Sequence, residues 1–408
     1  MTIIIDRRKV LRLGGSLAAL GLLAGCDTLS FGPDLGGDAG AGGAGGTGGT
    51  VGPAPVRGTA GARTFGSGPV KVALLLPLTG DAAPVGISMA NAAQLAMDYV
   101  AASPKIGDNI TLVVMDTGPT AQGASQRASE ALAAGVKLIL GPLKADQVEA
   151  AGAVAKAAGV PLIGFSNNSA AAEPGVYLLN VLPESEIHRS LSYATGKGRK
   201  AIAAVFPTTD FGRVQQAAFQ IVAAGLGIAP RSVFSYGSDT DQRSIASTLG
   251  PQINRGMVDA VFMPDRAGAP GFAKLLRTAG APPGKALLIG SADWDTDPAI
   301  LAASPLAGAV YPAIDDTGYL ALKGEYQAKF GGSPHPLATI AYTAAILANA
   351  APLAKSKPPY TSAELTTPGG FSGRDGVFRF LPDGRSQYAL IMKQVASSGA
   401  IKVDAAKL

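Results

Sequence analysis

Val70-Lys71-Val72-Ala73-Leu74-Leu75-Leu76-Pro77-Leu78-Thr79-Gly80 is the stretch from which the rest of the chain is read. A short run that is apolar at consecutive positions, then ended by proline and glycine, suits a strand buried on both faces. After Asp81 and Pro84, an alanine-rich pattern places Met89, Ala92, Ala93, Ala96, Tyr99 and Val100 at helical spacing on one face, to about Ala101. Strand, turn and helix together form the opening unit of a parallel sheet with helices on both sides.

The same cadence repeats downstream. Predicted strands fall at about 110–115, 136–140, 160–165 and 176–180, with predicted helices at about 121–134 and 145–158 between them. Near Pro183 the pattern restarts. Further strands are predicted at 200–206, 232–236, 259–263, 286–289 and 307–312, again alternating with helices. The segments 376–380 and 388–395 read as a terminal antiparallel pair about Leu381-Pro382-Asp383-Gly384.

With 408 residues, 47% of them hydrophobic and 15% charged, the chain is long enough for two domains or one bilobal unit. The formal charge is +5, but Arg7, Arg8, Lys9 and Arg12 against Asp6 place +3 of it in the first dozen residues. The +2 left from Cys26 onward, with no basic stripe interleaved with aromatics, argues against nucleic acid as a partner. The single cysteine excludes an internal disulfide. His188 and His335 are the only histidines, one at a helix start and one between two prolines. No Gly-x-Ser-x-Gly elbow, His-Glu-x-x-His or metal-ligand cluster is present, so the sequence indicates neither an enzyme nor a cofactor or metal.

Residues 1–25 read as an export signal: a basic segment from Asp6 to Arg12, then an apolar stretch from Leu13 to Ala24 too short to span a bilayer as a mature helix. Leu23-Ala24-Gly25-Cys26 resembles the lipobox of bacterial lipoproteins, which implies acylation of Cys26. An ordinary secretory signal is the alternative. Arg7-Arg8 resembles a twin-arginine signal, and Asp27 resembles the inner-membrane retention signal of enterobacterial lipoproteins. From Asp27 to Gly68, 15 of 42 residues are glycine and large apolar side chains are scarce, so 26–68 is expected to be a disordered tether. Its expected reach is roughly 35 Å. A phosphate-cradling loop is excluded there, because no strand precedes the glycines and no Gly-Lys-Ser/Thr follows them.

Over about Val70 to Val403 the chain resembles the type I periplasmic-binding fold of leucine- and amide-binding proteins. The resemblance is carried by the opening strand, Gly141-Pro142, Val160-Pro161-Leu162-Ile163, Phe206-Pro207-Thr208-Thr209-Asp210-Phe211-Gly212, and Gly373-Arg374-Asp375-Gly376-Val377-Phe378-Arg379-Phe380. It implies an α/β architecture of two lobes with doubly wound parallel sheets. Lobe one would span about 69–184 and 308–360, and lobe two about 185–307 and 361–408. The cleft would be lined by loops at the C-terminal strand ends. Within that group, Gly141-Pro142-Leu143-Lys144 with Val148 and Glu149, and Leu182-Pro183-Glu184-Ser185-Glu186, are similar to penicillin-binding protein activators. Those lipoproteins dock on a bifunctional peptidoglycan synthase. Their N-terminal helical-repeat domain has no counterpart here, where the glycine-rich tether stands in its place.

The cleft candidates are Thr79, Asp81, Lys144, Ser166, Asn167, Asn168, Phe211, Asp293 and Trp294. An amino-acid ligand needs hydroxyls or N–H groups for its carboxylate and an acid for its ammonium. The leucine-binding relatives carry a serine-rich loop after Gly-Pro, whereas this chain has Lys144-Ala145-Asp146, with no hydroxyl. Lys144 can attract a carboxylate or lie on the surface. Ser166, Asn167, Asn168 and Ser169 match the relatives' second contact loop, and equally suit a solvated turn that caps a helix. Phe211 stands where relatives carry an aromatic over the ligand, and it also suits packing against the lobe. Asp293 can answer an ammonium or cap a helix, and Trp294 can form a wall or a buried ring. The resemblance therefore implies a lipid-anchored periplasmic protein that regulates a bifunctional penicillin-binding protein by contact. The alternative is the solute-binding component of an ABC importer for branched-chain amino acids or amides, with the permease as partner.

Overall fold

The computed structural model describes residues 63–103 and 105–408. The expected signal peptide, Cys26 and most of the expected tether lie outside the described residues.

Lobe one is built on a six-stranded sheet. Its strands are β1 (Arg63–Phe65), β2 (Val70–Leu76), β3 (Ile110–Asp116), β4 (Leu138–Leu140), β5 (Leu162–Gly164) and β6 (Val176–Leu178), in the order β1-β3-β2-β4-β5-β6. All neighbours are parallel except β1 and β3. Alternate side chains of β2 feed opposite cores. Val72, Leu74 and Leu76 pack with α1 (Ala83–Ala101) and a helix at Ala338–Asn349, while Ala73 and Leu75 pack with α2 (Ala121–Ala133) and α3 (Ala145–Ala157). That double burial is why the opening run is apolar at consecutive positions rather than at every second one.

In lobe two, β7 (Ile202–Pro207), β8 (Ser232–Tyr236), β9 (Ala260–Phe262), β10 (Leu287–Ile289) and β11 (Val310–Ala313) are parallel. Ile202, Ala204 and Phe206 face α4 (Pro183–Gly196) and α5 (Asp210–Gly225). Ala203 and Val205 face α6 (Asp239–Asn254) and α7 (Ala269–Thr278). A small antiparallel sheet, β12 (Phe371–Gly373), β13 (Gly376–Phe380) and β14 (Ser386–Tyr388), places Phe378, Phe380 and Tyr388 in the core of lobe one. The chain then returns to lobe two as β15 (Leu390–Ala396), antiparallel to β11, and ends in β16 (Gly399–Lys407).

Three sequence expectations change. The segment Arg63–Phe65, read as tether, is an edge strand, and Ser67 donates from both its N–H and its hydroxyl to Asp108, at 2.6 and 2.9 Å. Too short to show a hydrophobic period, that strand is held by pairing and not by burial. Val310–Ala313 belongs to the second sheet rather than lobe one, and 361–388 packs largely with lobe one rather than lobe two. The expected terminal pair is divided: β13 pairs with β14, whereas β15 pairs with β11 and β16. Turn residues mark a hairpin in sequence but do not say where its second strand ends.

The lobes are joined near residues 179–185, 313–317 and 388–391. Side chains tie two of these crossings together. Ser185 Oγ donates to the Ser386 carbonyl (2.9 Å), Ser386 Oγ to the Asn180 carbonyl (2.6 Å), and buried Arg189 to the Leu390 carbonyl (2.7 Å) and Asp404 (2.7 Å).

Candidate functional site

In each lobe the parallel strands end in loops on one side, and all the cleft candidates sit on those loops or on the helix starts beside them. In lobe one the loop after β2 is organised by Asp116, at the end of β3. Its carboxylate accepts from the N–H groups of Leu78 and Gly118 (2.8 Å each) and from Thr79 Oγ1 (2.8 Å). Burial pushes this carboxyl up, but the hydrogen bonds from Gly118, Thr79 and Leu78 outweigh burial and hold it below the usual carboxylate range. The Thr79 hydroxyl is thus committed as a donor within the lobe. Asp81 is exposed just ahead of α1.

Lys144 occupies the N-cap position of α3 with its side chain half-buried and pairs with no carboxylate among the described residues. After β5, the buried Ser166 accepts at Oγ from the Asn168 N–H (3.1 Å). Asn168 in turn caps the short helix Ser169–Ala171 by accepting from the Ala170 N–H (3.0 Å). Asn167 is exposed. The loop thus forms the capping turn, with Asn167 and Asn168 at the surface.

In lobe two, Thr209 caps α5 by accepting from the Gly212 N–H, and a Cβ on Gly212 would lie 1.8 Å from the Pro207 carbonyl oxygen. Only glycine fits that turn, which fixes the half-buried Phe211 on the first turn of α5, outside both cores of the lobe. Trp294 is 0% exposed and donates from Nε1 to the Pro264 carbonyl (3.2 Å), with its ring centroid 6.3 Å from that of Tyr311. It is a core anchor, and the wall reading is set aside because the indole turns inward beneath its own loop. Asp293, next to it, remains on the surface.

The residue that Asp293 meets was not among the candidates. Glu186, in the first turn of α4, accepts from the Ala292 N–H (3.1 Å). Burial, then the charge of Asp293, pushes its carboxyl up to about 8. Asp293 is itself raised by burial, opposed by Arg266. Beyond it, Thr296 holds a left-handed φ of 61° between Asp295 and Asp297. Asp295 is held by Lys393 (2.9 Å) and Tyr311 (3.1 Å), and Asp297 by Arg266 (3.3 Å). Thr296 is a strained position for a β-branched residue, kept by the bonds on either side. Glu186 belongs to the Pro-Glu-Ser-Glu stretch singled out in sequence. An acid in a first helical turn ordinarily signals only a favourable helix dipole, so nothing there predicted a carboxyl partner.

The structure thus brings Thr79 to Asp116, Ser166 to Asn168, and Asp293 to Glu186 and Arg266. No hydrogen bond or ion pair joins a candidate of lobe one to a candidate of lobe two. Among the described residues no group of three His, Cys, Asp or Glu could hold a metal. His188 is held below its usual range by burial and by Arg379 and Arg189, and His335 by burial.

Residues 69–400 match the sequence profile of a family described as periplasmic binding protein, and the chain belongs to that family. Among solved structures, it is similar to a Rhodospirillum rubrum protein described as a branched-chain amino acid ABC transporter. Identity there is 21% and the TM-score 0.67, over 82% of this chain and 99% of that one. It is also similar to the C-domain of Haemophilus influenzae LpoA, a regulator of PBP1A, at 15% identity and TM-score 0.61 over 82% and 99%. A Desulfitobacterium hafniense substrate-binding protein in complex with Leu gives 18% identity and TM-score 0.55, over 82% and 99%. No curated protein matches the chain by sequence. At these identities the likenesses establish the two-lobed fold shared by both kinds of protein.

Proposed function

We propose that this protein is a non-enzymatic regulator in the periplasm, acting on a bifunctional penicillin-binding protein through protein–protein contact and held to a membrane by acylated Cys26. The observation that carries this reading is the state of the hydroxyls in lobe one. Thr79 donates to Asp116, the loop after β4 offers no hydroxyl, and Ser166, which accepts from the Asn168 N–H, is the one buried hydroxyl left with a proton to give. A free amino acid's carboxylate needs a row of donors, and lobe one offers it few beyond Lys144 and Ser166; an unmatched buried charge is costly. Likeness to the LpoA C-domain supports the same reading.

A second reading has its own observation. The half-buried Glu186 and the exposed Asp293 form an acidic pair on lobe two, which suits the amine of a solute, as in the substrate-binding component of an ABC importer that docks on a permease. Thermal-shift screening of the protein against amino acids and amides separates the two. A solute at 100 times its Kd would stabilise the fold by about 2.7 kcal/mol. The regulator reading expects no shift, together with capture of a glycosyltransferase–transpeptidase in a pull-down. Clear stabilisation by leucine or a related solute would overturn it.

A further inference from the structure

Lobe two is electrically polarised along its strands. Asp210, Asp239, Asp241, Asp265 and Asp293 stand at the C-terminal strand ends or the helix starts beside them. At the opposite end, where β7, β8, β9 and β10 all begin, the connecting loops carry the cations. Arg199 and Lys200 precede β7, Arg231 precedes β8, Arg255 precedes β9 and Lys285 precedes β10. Lys197 and Arg277 are at the ends of the helices α4 and α7 that lead there. None of these seven forms an ion pair with a carboxylate among the described residues. Asp259 is the one acid in the same loops, and both its oxygens are taken by the backbone N–H groups of Lys200 and Ala201 (2.9 Å each).

Cations at helix C-termini offset the helix dipole, which accounts for Lys197, Arg255 and Arg277. It does not account for Arg199, Lys200, Arg231 and Lys285, which stand at strand starts. Arg277 is held by carbonyls alone, those of Ala281, Pro282 and Pro305 (2.8–3.3 Å), and burial draws it below the usual guanidinium range. With Arg199, whose guanidinium reaches the Lys285 carbonyl (3.3 Å), Arg277 lines a cavity of about 270 Å3 together with Gly284, Gly308 and Gln394.

We propose that this end of lobe two docks on an anionic phospholipid surface, with a headgroup phosphate entering the Arg199–Arg277 cavity. The cations are spread along four neighbouring strands, about 15 Å across at the usual inter-strand spacing. That breadth matches a continuous sheet of negative charge better than a single acidic side chain. Met257, 46% exposed and two residues past Arg255, supplies an apolar tip for the headgroup boundary. Docked this way, the protein turns the cleft loops of lobe two away from the bilayer. The inference does not depend on what the cleft holds.

The test is sedimentation of the full chain with vesicles of phosphatidylglycerol and phosphatidylcholine, against vesicles of phosphatidylcholine alone. The comparison chain is the triple variant Lys200→Glu, Arg231→Glu, Lys285→Glu. These side chains are exposed and donate no hydrogen bond among the described residues, and both chains, wild-type and variant, carry Cys26→Ser, so that no acyl anchor masks the patch. Three cations lost, about a hundredfold by themselves, and three acids gained should lower partition to the anionic vesicles by at least about a hundredfold. Wild-type binding should also weaken as salt is raised. Equal partition of wild type to both vesicle types, or of variant and wild type to the anionic ones, overturns the proposal. Charge-dependent binding to polyglutamate without preference for anionic vesicles also overturns it and assigns the patch to an acidic protein. If the variant does not fold, the two vesicle types and the salt series on the wild type decide the matter alone.

Discussion

Gly290 and Glu186 each constrain the lobe-two loops closely. A Cβ at Gly290 would lie 2.1 Å from the Trp294 ring, and that ring is buried with no room to retreat. Gly290→Ala should therefore cost about 1–3 kcal/mol of stability by urea unfolding, as overpacking does. An unchanged midpoint would contradict the packed position of the indole. Glu186 makes a prediction about pH. Its carboxyl ionises near 4.5 in an ordinary setting and near 8 here, so the folded state keeps a proton that the unfolded chain releases. The stability this group supplies is complete at low pH and is lost as pH rises from 4.5 through about 8. Glu186→Gln should flatten the decline in Tm between about pH 5 and pH 8 and leave the variant the more stable at the upper end. Superimposable profiles would refute the assignment. From the sequence, Trp294 reads equally as a wall or a core ring, because a tryptophan after a strand does not say which way its loop folds. Glu186 was hidden for a related reason: its partner lies 107 positions along the chain.

At the scale of elements, the opening strand was legible because it is buried on both faces, and consecutive apolar residues report that directly. Edge elements carry no such signal. Strand β1 has the burial of a surface segment and is defined by its ladder to β3 and by Arg63 Nη1 donating to Asn91 Oδ1 (2.9 Å). A chain beginning at Ser67 should lose about 2 kcal/mol, in line with the few net hydrogen bonds removed. It should also self-associate by light scattering, because the edge of β3 is then bare. If it stays monomeric with an unchanged Tm, the boundary belongs after Phe65. Strand β16 was missed for the same reason as β1. Its inner edge is fixed by β15 and by Arg189, which reaches Asp404 and the Ala405 carbonyl (3.0 Å) from α4. Crossover placement is likewise non-local: Tyr388 and Ile391 sit three residues apart yet pack in different lobes.

For the molecule as a whole, net charge was a misleading guide, since +2 from Cys26 onward averages an acidic cleft end against a basic far end. Strand order converts scattered loop residues into a face, and strand order is what a sequence states least. The two-lobed family fold was legible because its strand–helix cadence is local. Whether the cleft holds a solute depends on hydroxyls whose hydrogen bonds form only after folding, such as that of Thr79, which donates to Asp116. The central claim is that this protein acts by contact on a cell-wall synthase. Its most direct test is the glycan polymerisation rate of the purified bifunctional penicillin-binding protein from the same organism, titrated with this protein. The account predicts a saturable rise in rate that free leucine does not alter. A flat titration, with the synthase active and this protein folded, would contradict it.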